Sequence, residues 1–320
     1  MDRPRRAPVD LGVDVAGLRL PNPVVAASGT FGHGDEVARL CDPSGLGAVT
    51  VKSLAAFAWP GNPAPRLRTA AAGMVNSVGL QGPGVQRWVE ADLPRLRALG
   101  ARVIVSVWGR SVDDFADAAA MLVPVAAELA AVEVNVSCPN VEDRSRVFAH
   151  APGTTAAAVA AVAGAGLGLP VFAKLSPNVT DITEIAAAAL AAGADGLTLV
   201  NTVMGLAVDA ERRRPALGGG GGGLSGPAIK PVALRAVHDV WRAHPGVAII
   251  GTGGVASGLD AVEMMLAGAS AVGVGTATFL EPRAPARIVA ELAAWCEEHS
   301  VSRAGDLTGA LLGADGERPG

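Results

Sequence analysis

The chain has 320 residues, of which 50% are apolar and 18% charged, and its formal net charge is −4. This apolar content argues against a disordered chain, and the lack of a basic stripe argues against a nucleic-acid-binding surface. A chain of this length with one hydrophobic core is typical of a barrel.

The cysteines and the chain start indicate the cellular compartment. Cys41, Cys138 and Cys296 are far apart and form no CxxC pair, which argues against a disulfide framework, a metal site and an iron–sulfur site. The basic start of the chain has no apolar stretch behind it, so we expect no signal peptide. Residues 156–173 are uncharged, but their glycines and Pro170 favour a helix, a turn and a strand over a membrane span. We predict a cytoplasmic protein without a metal or a membrane contact.

Short β-branched runs recur along the chain, and each is followed by a longer segment rich in alanine and leucine. This alternation predicts βα units and a parallel sheet. The predicted strands are 23–27, 48–52, 102–107, 132–136, 171–175, 196–200, 247–251 and 271–275. Eight such units predict an α/β fold, the (β/α)8 TIM barrel.

Local signals support these boundaries. Helix-capping side chains follow three strands at Ser111, Asp181 and Ser257, and three glycines end helices at Gly100, Gly193 and Gly268. Residues 13–20 alternate around a turn at Ala16 and Gly17, which predicts an N-terminal β-hairpin closing the bottom of the barrel. We expect one domain over residues 1–320, with the barrel over about 23–295 and a flexible tail over about 300–320.

Two irregular segments interrupt the βα pattern. Residues 53–80 follow the second strand, and residues 202–226 follow the sixth and contain six consecutive glycines, 218–223. Long βα loops on this fold build the functional site. The glycine run satisfies GxGxxG, but no strand directly precedes it, so we do not interpret it as a dinucleotide fingerprint. Its role stays open.

Polar or small residues stand at the predicted carboxyl end of every strand, the face where TIM barrels carry their sites. They are Ser28, Lys52, Ser106, Asn135, Lys174, Asn201, Gly253 with Gly254, and Gly275 with Thr276. One lysine at a strand end could simply reach water, but two at equivalent positions favour a site. The glycines after strands seven and eight predict a phosphate site of backbone N–H groups, with tight turns as the alternative explanation.

Cys138 follows the fourth strand between Asn135 and Asn140, a polar setting that favours acid–base or nucleophilic chemistry over a core role. We interpret Cys41 and Cys296 as core residues. Amide side chains offer both donors and acceptors, as a cyclic imide or pyrimidine-like ring requires. The candidates are Asn76, Asn135, Asn140 and Asn201.

Five motifs together resemble class 1 dihydroorotate dehydrogenases, and most closely the catalytic FMN subunit of the NAD-linked subclass 1B. They are AASGTFG (26–32), NSVGLQGPG (76–84), VNVSCPN (134–140), KLSPNVTDI (174–182) and GLSGPAIKP (223–231). The resemblance implies oxidation of (S)-dihydroorotate to orotate in de novo pyrimidine (UMP) biosynthesis. Hydride would pass to one FMN per chain and electrons onward to NAD through a partner subunit.

The resemblance also implies the roles of individual residues, with Cys138 as the catalytic base. The implied FMN contacts are Ser28, Lys52, Ser53, Ser106, Asn135, Lys174, Val200, Gly226, Gly253, Gly254, Gly275 and Thr276. The implied substrate contacts are Lys52, Asn76, Ser77, Val78, Gly79, Leu80, Asn135, Asn140, Asn201 and Thr202. The sequence departs from the family pattern at Ser106, where asparagine is usual, at Ser53, where glycine is common, and in residues 141–150, which lack a Gly-Gly pair.

Other members of the same and neighbouring classes remain alternatives. A class 1A enzyme would use fumarate as its acceptor, whereas class 2 is disfavoured because it uses serine as base and carries an N-terminal membrane helix. A tRNA-dihydrouridine synthase would need a basic RNA-binding surface. A non-catalytic binding subunit would have no need of Cys138 and the two lysines.

The resemblance to subclass 1B also implies a partner. The chain has neither a credible dinucleotide fingerprint nor a cysteine cluster for an iron–sulfur centre. We therefore expect FAD and a [2Fe-2S] cluster on a second subunit that docks on a homodimer of this chain, giving a heterotetramer.

Overall fold

The computed structural model describes residues 8–137 and 148–312. Its strands are β1 (Val13–Val15), β2 (Leu18–Leu20), β3 (Val24–Ala26), β4 (Ala48–Thr50), β5 (Leu67–Ala70), β6 (Gly73–Asn76), β7 (Val103–Val107), β8 (Ala131–Asn135), β9 (Val171–Leu175), β10 (Gly196–Leu199), β11 (Val203–Gly205), β12 (Val208–Asp209), β13 (Arg214–Pro215), β14 (Gly222–Ser225), β15 (Ala248–Thr252) and β16 (Ala271–Val274). Its α-helices are α1 (Val85–Ala91), α2 (Leu93–Ala98), α3 (Val112–Leu122), α4 (Pro152–Ala163), α5 (Ile182–Ala191), α6 (Lys230–Ala243), α7 (Gly258–Leu266), α8 (Ala277–Leu280) and α9 (Ala284–Glu298).

Within these ranges, eight strands pair in parallel and close a barrel in the order β3, β4, β7, β8, β9, β10, β15 and β16. Each lies within one or two residues of a predicted strand, so the predicted TIM-barrel fold is confirmed. Strands such as β7 and β9 are buried along their whole length. Continuous burial is expected for parallel strands that have helices on one side and the barrel interior on the other.

The predicted helix boundaries are also confirmed. Ser111 and Asp114 form a reciprocal capping box at the start of α3, and Asp181 and Ser257 cap α5 and α7 by accepting backbone N–H bonds. The helix-ending glycines all have positive φ: Gly100 (69°), Gly193 (102°) and Gly268 (128°). Local capping chemistry therefore sets these helix ends.

The N-terminal hairpin forms as predicted. β1 and β2 pair antiparallel around Ala16 and Gly17, which both have positive φ, and the Asp14 carboxylate accepts the Gly17 N–H at 2.9 Å. Val15 and Leu20 are buried in the same core as the barrel strands. The hairpin leads directly into β3, so it lies at the amino-terminal face of the barrel, opposite the strand ends that carry the predicted site.

The prediction of a flexible tail from about residue 300 needs correction up to residue 312. Ala304 and Leu307 are buried in the core, and Asp10 holds this segment through backbone bonds to Ser302 and Ala304. The segment covers apolar surface between the hairpin and α7, which explains why it is packed. In the described part of the chain, no helix has the length and apolar character needed to cross a membrane.

The two irregular segments, 53–80 and 202–226, come together as a four-stranded antiparallel sheet in the order β11, β14, β6 and β5. Sequence patterning did not predict these strands. All four residues of β5 are exposed, and β14 begins with Gly222 and Gly223, so neither strand shows apolar–polar alternation. The sheet stands at the carboxyl face of the barrel and supplies Met74, Asn76 and Ser225 to the cavity there.

Candidate functional site

A cavity of about 600 Å³ lies at the carboxyl ends of the barrel strands. Most of the predicted site residues line it: Ser28, Lys52, Ser53, Asn76, Val78, Gly79, Leu80, Asn135, Lys174, Val200, Asn201, Thr202, Gly226, Gly253, Gly254, Gly275 and Thr276. Ser77 and Ser106 are fully buried and do not reach the cavity wall. Cys138 and Asn140 lie outside the described residues.

A buried ion pair lies beside the cavity. The Lys174 ammonium in β9 is 3.5 Å from the Glu133 carboxylate in β8, and both side chains are less than a tenth exposed. The Ser106 hydroxyl in β7 donates to the same carboxylate at 3.1 Å. Sequence reasoning missed Glu133, although a signal was present: it is two residues before Asn135 and therefore shares a strand face with it.

Serine hydroxyls connect this ion pair to the cavity wall. The Ser53 and Ser106 oxygens are 2.9 Å apart, and the Asn135 amide donates to Ser53 at 2.9 Å. Ser28 lies 3.4 Å from Ser53 on the other side. Ser106 was predicted to contact the cofactor, but the structure places it behind Ser53. It is connected to the cavity-lining residues Ser53, directly, and Lys174, by way of Glu133.

A second group of polar contacts fixes two of the predicted asparagines. Asn135 accepts from the backbone N–H and the hydroxyl of Ser137 at 3.3 and 3.1 Å, and Asn201 donates to the same hydroxyl at 2.9 Å. The side-chain oxygen Oδ1 of Asn201 accepts a hydrogen bond from the Thr202 backbone N–H at 2.8 Å. Ser137, which sequence reasoning did not single out, therefore bridges the ends of β8 and β10 and orients both amides.

The 76–80 loop rests on an aromatic cluster of Phe57, Trp59 and Trp108. The Trp59 indole donates to the Gly79 carbonyl at 3.0 Å, and Leu80 is buried against Trp108. The Trp59 and Trp108 ring centroids are 6.0 Å apart in an edge contact. Gly79 and Leu80 both have positive φ, a conformation that a leucine adopts at an energetic cost. The cluster holds the loop in this conformation at the cavity wall.

The predicted phosphate residues lie together at one side of the cavity. Gly253 and Gly254 have positive φ, of 131° and 79°. A tight turn therefore also explains why glycine stands at these two positions, beside their predicted role in a phosphate site. Gly275 differs, because a Cβ there would meet only Ala27 and Thr30 at 3.7 Å, an ordinary contact distance. Gly275 lines the cavity, and its lack of a side chain leaves space there for a ligand to approach its backbone, as an anion site requires.

The two cysteines in the described ranges are core residues. Cys41 and Cys296 are free thiols and both are buried. Burial is the largest cause that raises the pKa of each thiol, so both remain protonated and unreactive at neutral pH. Neither lines the cavity. Their interpretation as core residues agrees with this placement.

Comparison with known proteins agrees with the geometry of the site. The sequence model of the family described as dihydroorotate dehydrogenase matches residues 10–295. The catalytic subunit of dihydroorotate dehydrogenase B (NAD(+)) from Geobacter sulfurreducens is 45% identical over 302 residues, covering 94% of this chain and 98% of the relative. The corresponding catalytic subunit from Desulforudis audaxviator is 48% identical over 302 residues, covering 94% of this chain and 97% of that relative.

The same family is found among solved structures. The crystal structure of DHODH from Eimeria tenella, in complex with ferulenol, superimposes with a TM-score of 0.77 at 25% identity, covering 97% of this chain and 90% of that one. The resemblance drawn from the five motifs, including its similarity to the NAD-linked catalytic subunits, is confirmed by these matches. The chain therefore belongs to the dihydroorotate dehydrogenase family.

Proposed function

We propose that this chain holds one FMN in the barrel cavity and oxidises (S)-dihydroorotate to orotate in pyrimidine biosynthesis. The observation that carries the proposal is the convergence of Lys52, Lys174, Asn135 and Asn201 around one cavity with the glycines that follow β15 and β16. A cationic, amide-rich site next to a phosphate-type backbone suits a flavin nucleotide and a small planar anion together. The buried free thiols Cys41 and Cys296 support a cytoplasmic location.

The cavity residues fit the cofactor. Backbone N–H groups of Gly253, Gly254, Gly275 and Thr276 would hold its phosphate, and Ser28, Ser53, Lys174 and Val200 would contact its ring system. When bound, FMN supplies the two-electron acceptor that amino-acid side chains lack. Lys174 would place a positive charge beside the ring, and the Glu133 carboxylate 3.5 Å away fixes the position of that charge.

The remaining residues would bind the substrate and move its proton. Lys52 would attract the substrate carboxylate, while Asn76, Asn135 and Asn201 would pair with the amide edges of the ring. Cys138 would accept the proton from C5 as hydride leaves C6, so that the C5–C6 double bond of orotate forms. The 76–80 loop and its aromatic support would exclude water from this face of the ring.

The cofactor and the reaction can be tested together on the purified chain. Denaturing release and chromatography are expected to show about one FMN per chain, and anaerobic dihydroorotate is expected to bleach the flavin absorbance. FAD, or no flavin, on a folded chain would refute the cofactor assignment. Flavin that dihydroorotate does not reduce would favour another FMN barrel, such as a tRNA-dihydrouridine synthase, which salt-dependent RNA binding would identify.

We also propose that the chain acts with a partner. The relatives are named as catalytic subunits, which supports a second subunit, and the sequence lacks the parts needed to reach NAD. The proposed assembly is a homodimer of this chain with a subunit carrying FAD and a [2Fe-2S] cluster. Alone, the chain is expected to reduce artificial acceptors but to reduce NAD poorly until that subunit is added. Rapid NAD reduction or rapid fumarate turnover by the chain alone would contradict this assignment.

A further inference from the structure

The glycine run 218–223 packs more closely against its surroundings than side chains would allow. A Cβ atom at Gly218 would collide with the Pro63 carbonyl, one at Gly219 with the Ser77 hydroxyl, one at Gly222 with the Asn76 carbonyl, and one at Gly223 with Thr202. None of these four glycines has a positive φ. Their backbone conformation is therefore open to other residues, and the requirement for glycine is one of space.

At Gly219, Gly222 and Gly223 the nearest atoms belong to the predicted substrate residues Ser77, Asn76 and Thr202. β14 lies between β6 and β11, with Gly223 opposite Asn76 on one side and Gly222 opposite Gly205 on the other. The Asn76 amide donates to the Gly223 carbonyl at 3.2 Å. The run thus lies against the 76–80 loop and Thr202 at the same time.

This packing also accounts for the GxGxxG pattern. A dinucleotide fingerprint needs open backbone against which a pyrophosphate can lie. Here the space beside Gly218, Gly219, Gly222 and Gly223 is filled by protein atoms. The run is therefore not a dinucleotide fingerprint, and it packs against residues that are predicted to bind the substrate.

We propose that the glycine run is a positioning element for the substrate: it sets how closely the 76–80 loop and Thr202 approach the cavity. This inference rests on the proposed function and deepens it. Because the groups of a binding site must be held within about 0.5 Å of their productive positions, the loss of this close packing should be visible in substrate binding.

Gly219 offers the sharpest test. Its Cβ would meet the ends of two side chains, the Ser77 hydroxyl and the Asn62 amide, the latter at 2.6 Å. These groups can shift, so Gly219→Ala is expected to fold, whereas substitutions at Gly218 and Gly222 would press on backbone. Gly205→Ala is the matched control, because Gly205 pairs with Gly222 of the run and its Cβ would lie 3.5 Å from Leu224, an ordinary contact.

The experiment compares wild type, Gly219→Ala and Gly205→Ala for FMN content, for orotate Kd from the flavin absorbance change, and for KM and kcat with an artificial acceptor. Gly219→Ala is expected to keep its FMN and to raise orotate Kd and dihydroorotate KM by about tenfold, with kcat changed by less than about threefold. Gly205→Ala is expected to match wild type. Unchanged Kd and KM in Gly219→Ala, or equal changes in Gly205→Ala, would overturn the inference.

A second variant separates positioning from misfolding. Ser77→Ala removes the atom nearest to the new Cβ, and it also removes the hydroxyl to which the Asn62 amide donates at 3.0 Å, so that amide can move away. Ser77→Ala/Gly219→Ala is therefore expected to regain the orotate Kd of Ser77→Ala alone. If Gly219→Ala loses FMN, recovery of FMN and orotate binding in the double variant supports the inference, and no recovery overturns it. A wild-type protein that binds FMN but neither orotate nor dihydroorotate would instead refute the proposed function on which the inference rests.

Discussion

Replacement of Cys138 by alanine is expected to slow dihydroorotate-driven flavin reduction by roughly a hundredfold or more while FMN content is unchanged. The expectation follows from the place of Cys138 in the chain, three residues after Asn135, whose amide lines the cavity. Alanine has no group that can accept the C5 proton. The remaining contacts of Lys52 and the asparagines would still bind the substrate, so the loss should appear in the rate constant.

Anaerobic stopped-flow measurement of flavin bleaching at saturating dihydroorotate checks this expectation. Cys296→Ala is the matched control, because it also removes a thiol but lies buried in α9, away from the cavity. A Cys138→Ala enzyme that reduces its flavin at the rate of the Cys296→Ala control would assign the base to another residue.

The barrel could be predicted from sequence because its signals are local. A β-branched run such as 103–107 specifies its own strand, and a side chain such as Ser111 caps its own helix within three residues. The site followed from the barrel, since parallel strands place all their carboxyl ends at one face. The predicted strand ends therefore place Lys52, Lys174 and Asn201 at one site, and all three line the cavity.

The features that were not predicted depend on contacts between distant segments. β14 pairs with β6 across about 150 residues of sequence, and its glycines carry no apolar pattern, so the four-stranded sheet had no local signature. The same holds for Ser106, which contacts Ser53 after β4 and Glu133 in β8. Its displacement from the cavity wall follows from the short reach of a serine side chain, which the strand assignment alone does not show.

Replacement of Lys174 by methionine is expected to lower the free energy of unfolding by about 3–5 kcal/mol, the usual cost of leaving one member of a buried ion pair without its partner. Methionine fills a similar volume, so the principal change is the Glu133 carboxylate, which would keep the Ser106 hydrogen bond but lose the ammonium 3.5 Å away. Denaturant unfolding of the flavin-free chain measures the loss, because bound FMN would add a stabilisation that changes with its affinity for each variant.

Adding Glu133→Gln to Lys174→Met tests whether the unpaired carboxylate causes the loss of stability. The double variant Lys174→Met/Glu133→Gln has no buried charge at this position, so it is expected to recover most of the lost stability, giving a large coupling energy in a double-mutant cycle. Flavin reduction should stay slow in the double variant, because the positive charge proposed to lie beside the ring is still missing. A double variant that is no more stable than Lys174→Met would show that the ion pair is not the source of the loss, and a double variant with wild-type flavin reduction would remove Lys174 from the proposed chemistry.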